Sequence, residues 1–482
     1  MSNTKHYRLL PFRFASDEDD VLLVNDIGMY YNMPKDDFNK FTNNKLLITS
    51  KHYNNLKSNY MLYDNNLSNV IDLLANAYRT KKRFLYNFTN LHMIVITKRC
   101  NQKCTYCHAS SIDDALGKEN DIDISTLHKC IDIILQSQSD YLKIEIQGGE
   151  PLLRFDLIKE TIEYSKSKTG NKHLEYVICT NLLNIDQNML EYIKENNVQI
   201  STSLDGPKYI HDSCRKLRNG NGSYDHYINS LALCKSYLPN EYISALVTIN
   251  PFNIFNIKDV IDEYLKHGFN SIFIRSLNPF GRARELITDN EYNGESFFEC
   301  YKQAVEYIIN INKKGVYFTE YFTSLLLTRI LTPFSTGFVD LQSPAGTGIC
   351  GVIYDIDGSI YVSDEARMLN YETGDKYFCL GNADNSWKDI FGHQKLRDLI
   401  KETCIEAQPG CAWCVYQPYC GIDPVRNYRL YGSCAPNVNK TDHCFMMKNI
   451  FKYLFNLIET SDSKTLDILW SWITGRTDEI SV

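Results

Sequence analysis

No run of eighteen apolar residues occurs in this 482-residue chain, so the sequence offers no helix that would span a membrane. It also lacks a charged-then-apolar leader. Its opening, Met1-Ser2-Asn3-Thr4-Lys5-His6, is polar, no export signal is read, and the expected location is cytoplasmic. An excess of positive charge is missing too. Fifty-eight acidic against 51 basic residues give a formal net charge of -7, which lends no support to sequence-independent nucleic-acid binding. Internal repeats and low-complexity tracts are likewise absent. What remains is a composition 44% hydrophobic and 23% charged, as in globular proteins with a real core, in a chain long enough for two or three domains.

Cysteine, by contrast, is abundant, with sixteen in all. Without an export signal a disulfide framework is not expected, because the cytosol keeps thiols reduced; each cysteine is then a small buried hydrophobe or a metal ligand. Cys130, Cys179, Cys214, Cys234, Cys300 and Cys379 stand alone and read as core. Cys100, Cys104 and Cys107 form one group, and Cys411, Cys414 and Cys420 another, flanked by Cys350, Cys404, Cys434 and Cys444. Two groups at either end of a long middle segment point to two metal centres.

The chain divides into four segments. Residues 1–90 read as a small domain with a strand over 21–28 running into a hairpin turn, then helical stretches near 36–41 and 68–78. Residues 91–285 alternate strands (92–97, 144–147, 174–179, 199–204, 243–249 and 271–274) with helices (124–138, 157–167, 187–196, 224–237 and 257–267). That alternation predicts an α/β fold of parallel βα units, an open sheet or a partial barrel. Residues 286–343 read as a helical connection. Residues 344–482 form a cysteine-bearing domain ending in a helix over 445–459.

In parallel βα architectures, chemistry gathers at the carboxyl ends of the strands. Cys100 follows the first strand, Gly148-Gly149-Glu150-Pro151 the second and Thr180-Asn181 the third, and Ser203 and Asp205 close the fourth. Cys100-x3-Cys104-x2-Cys107 supplies three thiolates, which on a four-iron cubane leave one iron open to a further ligand. A zinc site completed by His108 is the alternative, although zinc motifs usually pair C-x2-C with a second C-x2-C or H-x3-H.

Cys-x3-Cys-x-aromatic-Cys after the first strand of a βα series resembles the radical S-adenosylmethionine superfamily. The resemblance implies a (β/α)6 partial barrel of TIM-like form. Its [4Fe–4S] cluster has an open iron that chelates the methionine part of S-adenosylmethionine, and an external electron donor drives cleavage to a 5′-deoxyadenosyl radical. It further implies Tyr106 near the adenine and Gly148, Gly149 and Glu150 near the methionine amino group. Thr180 and Asn181 would meet the ribose, and Ser203 and Arg215 the methionine carboxylate. Ser203-Leu204-Asp205-Gly206-Pro207 with His211-Asp212 and Arg215 resembles the peptide-modifying branch in particular. For Asp205 and Asp212, turn and cap chemistry is the alternative.

Cys411-x2-Cys414-x5-Cys420 resembles the SPASM extension, which normally holds two auxiliary clusters. Here Ser363 and Pro424 stand where that pattern has cysteines. The expectation is therefore one auxiliary [4Fe–4S] cluster on Cys411, Cys414, Cys420 and Cys444, with Cys434 as the alternative fourth ligand; Asp423 reads as an oxygen ligand or, more blandly, a turn residue. A zinc ribbon is the alternative for this domain. Asp364, Glu365 and Arg367, after a strand over 359–362, read either as proton-moving residues or as a solvated strand end.

Leu9–Phe14, residues 22–25 and 363–368 resemble the radical maturases of His-Xaa-Ser peptide systems, which implies a small precursor peptide as substrate. The first 90 residues resemble a winged domain that captures a leader peptide as an added strand, which would require a free strand edge near 21–25. A sulfatase maturase that forms formylglycine, and a cluster-bearing sensor without turnover, are the alternatives. Neither a membrane nor a nucleic-acid partner is expected.

Overall fold

The computed structural model describes residues 7–64, 67–86, 88–287 and 292–476. The polar opening stretch, on which the reading of no export leader rests, lies outside them. No described helix is long and apolar enough to cross a membrane.

Ten strands form the central sheet: β1 (Leu91–Thr97), β2 (Tyr141–Gly148), β3 (His173–Cys179), β4 (Gln199–Ser203), β5 (Ile243–Thr248), β6 (Ser271–Arg275), β7 (Thr319–Glu320), β8 (Gly351–Tyr354), β9 (Ser359–Tyr361) and β10 (Cys379–Asn382). Their order in space is β7-β6-β5-β4-β3-β2-β1-β8-β9-β10. β1 to β7 are mutually parallel, and β8 joins the free side of β1, also parallel; β9 and β10 return antiparallel. The expected (β/α)6 partial barrel is present, and its sheet continues into the C-terminal segment.

Helices α1 (Ile124–Ile134), α2 (Phe155–Lys168), α3 (Gln187–Glu195), α4 (Tyr224–Tyr237) and α5 (Ile257–Lys266) cross between the barrel strands. Each presents one apolar face: Leu127, Cys130, Ile131 and Ile134 of α1, and Ile257, Val260, Ile261 and Tyr264 of α5, are buried. Alternate residues of the strands, such as Leu142, Ile144 and Ile146 of β2, face these helices and are buried. Their neighbours, Glu145 and Gln147 on β2 or Ser201 and Ser203 on β4, look the other way and are half-exposed. The barrel therefore has an apolar outer layer and a polar interior.

The N-terminal segment is a three-stranded antiparallel sheet of Phe12–Ser16, Asp20–Asn25 and Tyr30–Pro34, in that order. It carries helices Lys35–Thr42, Lys51–Ser58 and Leu67–Lys81. Asp20–Asn25 is its central strand, paired on both sides, so the free edge expected near 21–25 does not exist there; the outer strands are Phe12–Ser16 and Tyr30–Pro34. Tyr30–Pro34 is partly covered, with Tyr30 against Phe455 and Asn32 donating to Glu459. In the C-terminal segment, Ser363 caps helix Asp364–Thr373, Pro424 opens helix Pro424–Tyr431, and helices Asp442–Thr460 and Ser463–Thr474 close the chain.

Candidate radical site and a second cysteine cluster

Because β1 to β6 run parallel, their carboxyl ends share one rim, and the loop bearing Cys100, Cys104 and Cys107 lies across it. Gln102–Cys104 pairs antiparallel with Arg215–Leu217, which sets Arg215 opposite Cys104. Two further arginines that sequence reasoning missed hold the loop. Arg218 Nε donates to the carbonyl of Cys100 at 2.9 Å, and Arg282 Nε to that of Cys104 at 2.8 Å. Gly281, with φ +58°, lets that second chain approach, since a Cβ there would lie 2.3 Å from the Cys107 carbonyl oxygen. Nothing in the sequence marks Arg218 and Arg282 beyond their places after a motif and a strand end.

Cys100 and Cys104 are buried and Cys107 half-buried, and all sixteen cysteines are free thiols. Burial, then Glu150 and Cys104, push the Cys100 thiol up; Cys104 is raised to about 11, again by burial, although Arg215 opposes it. Burial acts on Cys107 too, but Arg282 and hydrogen bonding from Ser111 outweigh it and lower that thiol. Among the described residues no three Cys, His, Asp or Glu side chains converge on a single ion. Each thiolate of a four-iron cubane binds a different iron. Three thiols flanked by Arg215 and Arg282 fit such a group, whose thiolate ligands carry negative charge that the guanidiniums offset. His108, the candidate fourth zinc ligand, is turned to Asp364 at 2.9 Å.

Gly148 and Gly149 close the rim beside this loop. A Cβ on Gly148 would lie 2.1 Å from the Thr97 carbonyl oxygen and one on Gly149 2.2 Å from that of Arg99, so the close approach these glycines serve is to the chain entering the cysteine loop. Glu150 is buried, and its carboxylate accepts from Thr180 Oγ1 at 2.6 Å, Asn181 N at 2.7 Å and Leu152 N at 3.0 Å. Burial raises its pKa and those bonds oppose the rise. Asn181 Nδ2 in turn donates to Asn101 Oδ1 at 2.7 Å and approaches Cys100 Sγ at 3.8 Å, tying the end of β3 to the cluster loop.

Tyr106 is buried, with its hydroxyl donating to Asp205 Oδ2 at 2.5 Å and accepting from Arg215 Nη1 at 2.7 Å. Asp205 is fully buried, and its second oxygen has no partner among the described residues. Its recorded side-chain hydrogen bond is to the Tyr106 hydroxyl, which is not a turn or cap contact. Asp212 follows the blander reading, accepting from the amide of Tyr224 at the start of α4. Ser203 stands half-buried at the end of β4 on the barrel's inner face.

Asp364, Glu365 and Arg367 lie in the first turn of a helix, not at a solvated strand end. Arg367 is 3% exposed and pairs with Asp364 at 2.8 Å; Asp364 also meets His108. Burial would raise the Asp364 carboxyl, but Arg367 and His108 hold it far below the usual range. Glu365 accepts from Asn278 Nδ2 at 2.8 Å and faces Arg275 at 3.6 Å, the one just beyond β6 and the other its last residue. This helix therefore closes over the barrel mouth.

In the C-terminal segment, Cys411, Cys420 and Cys444 pack against Ile405, Ile422 and Val438. Cys411 is pushed up to about 12 by burial and by Cys444 and Cys414, and Cys420 is raised by burial and by Cys414, Cys411 and Cys444. Those four thiols share one neighbourhood. Cys434 stands apart, beside Glu402 and Asp423. Asp423 caps its helix, its Oδ1 accepting from Val425 N at 2.9 Å and Arg426 N at 3.0 Å.

Residues 94–265 match the model of the Radical SAM superfamily. The cysteine-type anaerobic sulfatase-maturating enzyme of Clostridium perfringens (strain 13 / Type A) is 25% identical over 373 residues, which cover 74% of this chain and 93% of that protein. Native anSMEcpe with bound AdoMet superposes with a TM-score of 0.64 at 19% identity, covering 79% of this chain and 99% of that one. Streptococcus suis SuiB bound to precursor peptide SuiA superposes with a TM-score of 0.51 at 12% identity, covering 89% and 98%. The parallel sheet and the cysteine loop fall in the segment that matches the radical SAM superfamily, and the chain has that fold, the fold of enzymes whose cofactors are a [4Fe–4S] cluster and S-adenosylmethionine.

Proposed function

We propose that this chain cleaves S-adenosylmethionine reductively and modifies a ribosomally made precursor peptide by hydrogen abstraction, leaving a crosslink or an oxidised side chain. The observation that carries the reading is the likeness along nearly the whole chain to SuiB, a protein solved with its precursor peptide. The His-Xaa-Ser resemblance of the N-terminal and 363–368 segments points the same way.

Bound together, the cluster and S-adenosylmethionine supply a 5′-deoxyadenosyl radical as the hydrogen-abstracting agent. Cys100, Cys104 and Cys107 would hold the cluster. Arg215, aligned by Tyr106 and Asp205, would grip the methionine carboxylate with Ser203, a task suited to a planar guanidinium. Gly148, Gly149 and Glu150 would shape the wall beside the amino group, and Thr180 and Asn181 that beside the ribose. Asp364, set between His108 and Arg367, would take a proton from the substrate as it is oxidised, with Glu365 beside it at the barrel mouth. Cys411, Cys414, Cys420 and Cys444 would hold one auxiliary [4Fe–4S] cluster, and an external donor would supply the electron.

The sulfatase-maturase relative favours a second reading, oxidation of a Ser or Cys to formylglycine. Against it stand Ser363 and Pro424, a helix cap and a helix opener at positions where the full SPASM pattern has cysteines.

The test is 5′-deoxyadenosine formation by the anaerobically reconstituted protein with S-adenosylmethionine and a strong reductant, in wild type and in Cys100→Ala, Cys104→Ala and Cys107→Ala. Activity lost in all three variants supports the assignment. Absence of both product and S-adenosylmethionine binding in wild type overturns it and favours the sensor reading. Incubation with candidate precursor peptides and with a sulfatase peptide, followed by mass spectrometry, separates the two peptide readings.

A further inference from the structure

A pocket unrelated to the barrel mouth lies where the N-terminal segment, the helical connection and the C-terminal segment meet. Lys81 and Lys82 enter it from the end of helix Leu67–Lys81, Arg329 from helix Tyr321–Leu331, and Glu406, Gln342 and Gln417 complete its polar wall. We propose that Lys81, Lys82 and Arg329 form a binding site for a small oxyanion, a phosphate or a carboxylate group.

The charges in this pocket do not balance. Glu406 is the nearby carboxylate, and it is already engaged by Lys82, by Tyr78 at 3.3 Å, by Ser343 and by the Cys404 thiol at 3.3 Å. Asp26, at the rim, is paired with Arg13 at 2.6 Å and is half-exposed. Arg329 is fixed by two carbonyl oxygens, Nε to Tyr419 at 2.8 Å and Nη2 to Pro418 at 3.2 Å, neither of which carries charge. Among the described residues no carboxylate lies within ion-pair distance of Lys81 or Arg329, and the groups that favour the charged form of Arg329 are Cys420 and the more distant Glu406. The Lys81 ammonium sits 5.5 Å from the centre of the Tyr419 ring, a cation–π contact.

Two cations side by side without a counter-charge in a largely buried space are costly unless an anion fills the gap. Burial, then Arg329 and Lys82, depress the Lys81 ammonium to about 7, as expected of a lysine short of a negative partner. A guanidinium has five N–H donors, and the two carbonyls take only part of that set. An oxyanion would accept charge-assisted hydrogen bonds from Arg329 and Lys81 together. Gln342 and Gln417 supply the uncharged polar groups that such sites use for orientation. The site does not depend on the chain acting on peptides. Its wall does include Cys420, so an anionic cluster on the neighbouring cysteines is the competing source of counter-charge.

The experiment is calorimetric titration of inorganic phosphate, and separately of acetate, into the cluster-loaded full chain at fixed ionic strength set with chloride. It is repeated on Lys81→Met, Lys81→Gln and Lys81→Arg, each checked for an unchanged cluster absorption spectrum. The expected result is saturable binding of at least one anion in wild type, weakened tenfold or more in Lys81→Met or Lys81→Gln and retained in Lys81→Arg. Saturation by phosphate alone, or by acetate alone, identifies the group. No saturable binding of either anion by wild type overturns the proposal, as does equal binding by the Met and Gln variants. If neither anion binds and Lys81→Met lowers the midpoint potential of the auxiliary cluster, the proposal also fails and the lysine is that cluster's counter-charge.

Discussion

Asp121 is a buried carboxylate that ties two arginines to the cysteine loop. Its side chain is 1% exposed and accepts from Thr97 Oγ1 at 2.6 Å, Arg99 Nη2 at 2.7 Å, Arg99 Nε at 2.9 Å and Arg154 Nη1 at 2.6 Å. These bonds join the end of β1, the residue before Cys100 and the segment after the Gly148–Glu150 motif. Asp121→Asn keeps the shape and removes the charge. Breaking a buried ion pair from one side costs about 3–5 kcal/mol. Arg154 retains Asp156 at 2.7 Å, so the stranded charge is mainly that of Arg99, whose side chain is 14% exposed. The expected loss is therefore at or just below the lower end of that range, about 2–3 kcal/mol, read by urea unfolding of the reconstituted protein. In an Arg99→Gln background the same substitution should cost about 1 kcal/mol, because no guanidinium is left stranded. Arg99 and Arg154 also hold the Asp121 carboxyl below its ordinary value despite burial. The stability it contributes is thus present above the unfolded carboxyl value, about pH 4, and is lost as pH falls through the folded one. Asp121→Asn should flatten that acid limb. A loss under 0.5 kcal/mol, or an equal loss in both backgrounds, would refute the reasoning.

Three more outcomes are expected. Iron analysis of reconstituted wild type should approach about eight irons, two four-iron centres; Cys444→Ser should lose about half of them and Cys434→Ser should not. Gly149→Ala, whose new Cβ would meet the Arg99 carbonyl oxygen at 2.2 Å, should cost about 1–3 kcal/mol and weaken S-adenosylmethionine binding measured by equilibrium dialysis. Asp364→Asn should preserve 5′-deoxyadenosine formation while slowing appearance of the modified peptide about 100-fold or more, followed by mass spectrometry.

The barrel was legible because its elements are long and strongly periodic. α4 has the predicted bounds, Tyr224–Tyr237, and the six strands and the other crossing helices fall within a few residues of theirs. Elements without that pattern were missed. Helix Lys51–Ser58 is mostly polar, Thr319–Glu320 is two residues long, and Phe12–Ser16 follows the continuous apolar run Leu9-Leu10-Pro11 and alternates over only three residues. Cysteine spacing grouped the thiols and put Cys444 ahead of Cys434 as the fourth member of the second group. The path of the chain into helix Asp442–Thr460 sets Cys444 beside Cys411, Cys414 and Cys420 and leaves Cys434 apart. Long-range pairings were invisible for the same reason. That Arg215 would stand opposite Cys104, or His108 meet Asp364, follows from chain crossings more than a hundred residues apart and not from any local pattern.

The ladder between β1 and β8 has a consequence for how this protein is made. Leu91 pairs with Gly351 and Ile94 with Tyr354, so the first barrel strand is an edge strand until the chain has been synthesised well past its middle. At ribosomal elongation rates of about 5–20 residues per second that wait is on the order of tens of seconds. Throughout it, a Leu-His-Met-Ile-Val-Ile-Thr edge stands open to pairing with any other unpaired strand. A fragment ending before residue 351 would keep that edge permanently, and such a fragment is expected to aggregate where the full chain folds.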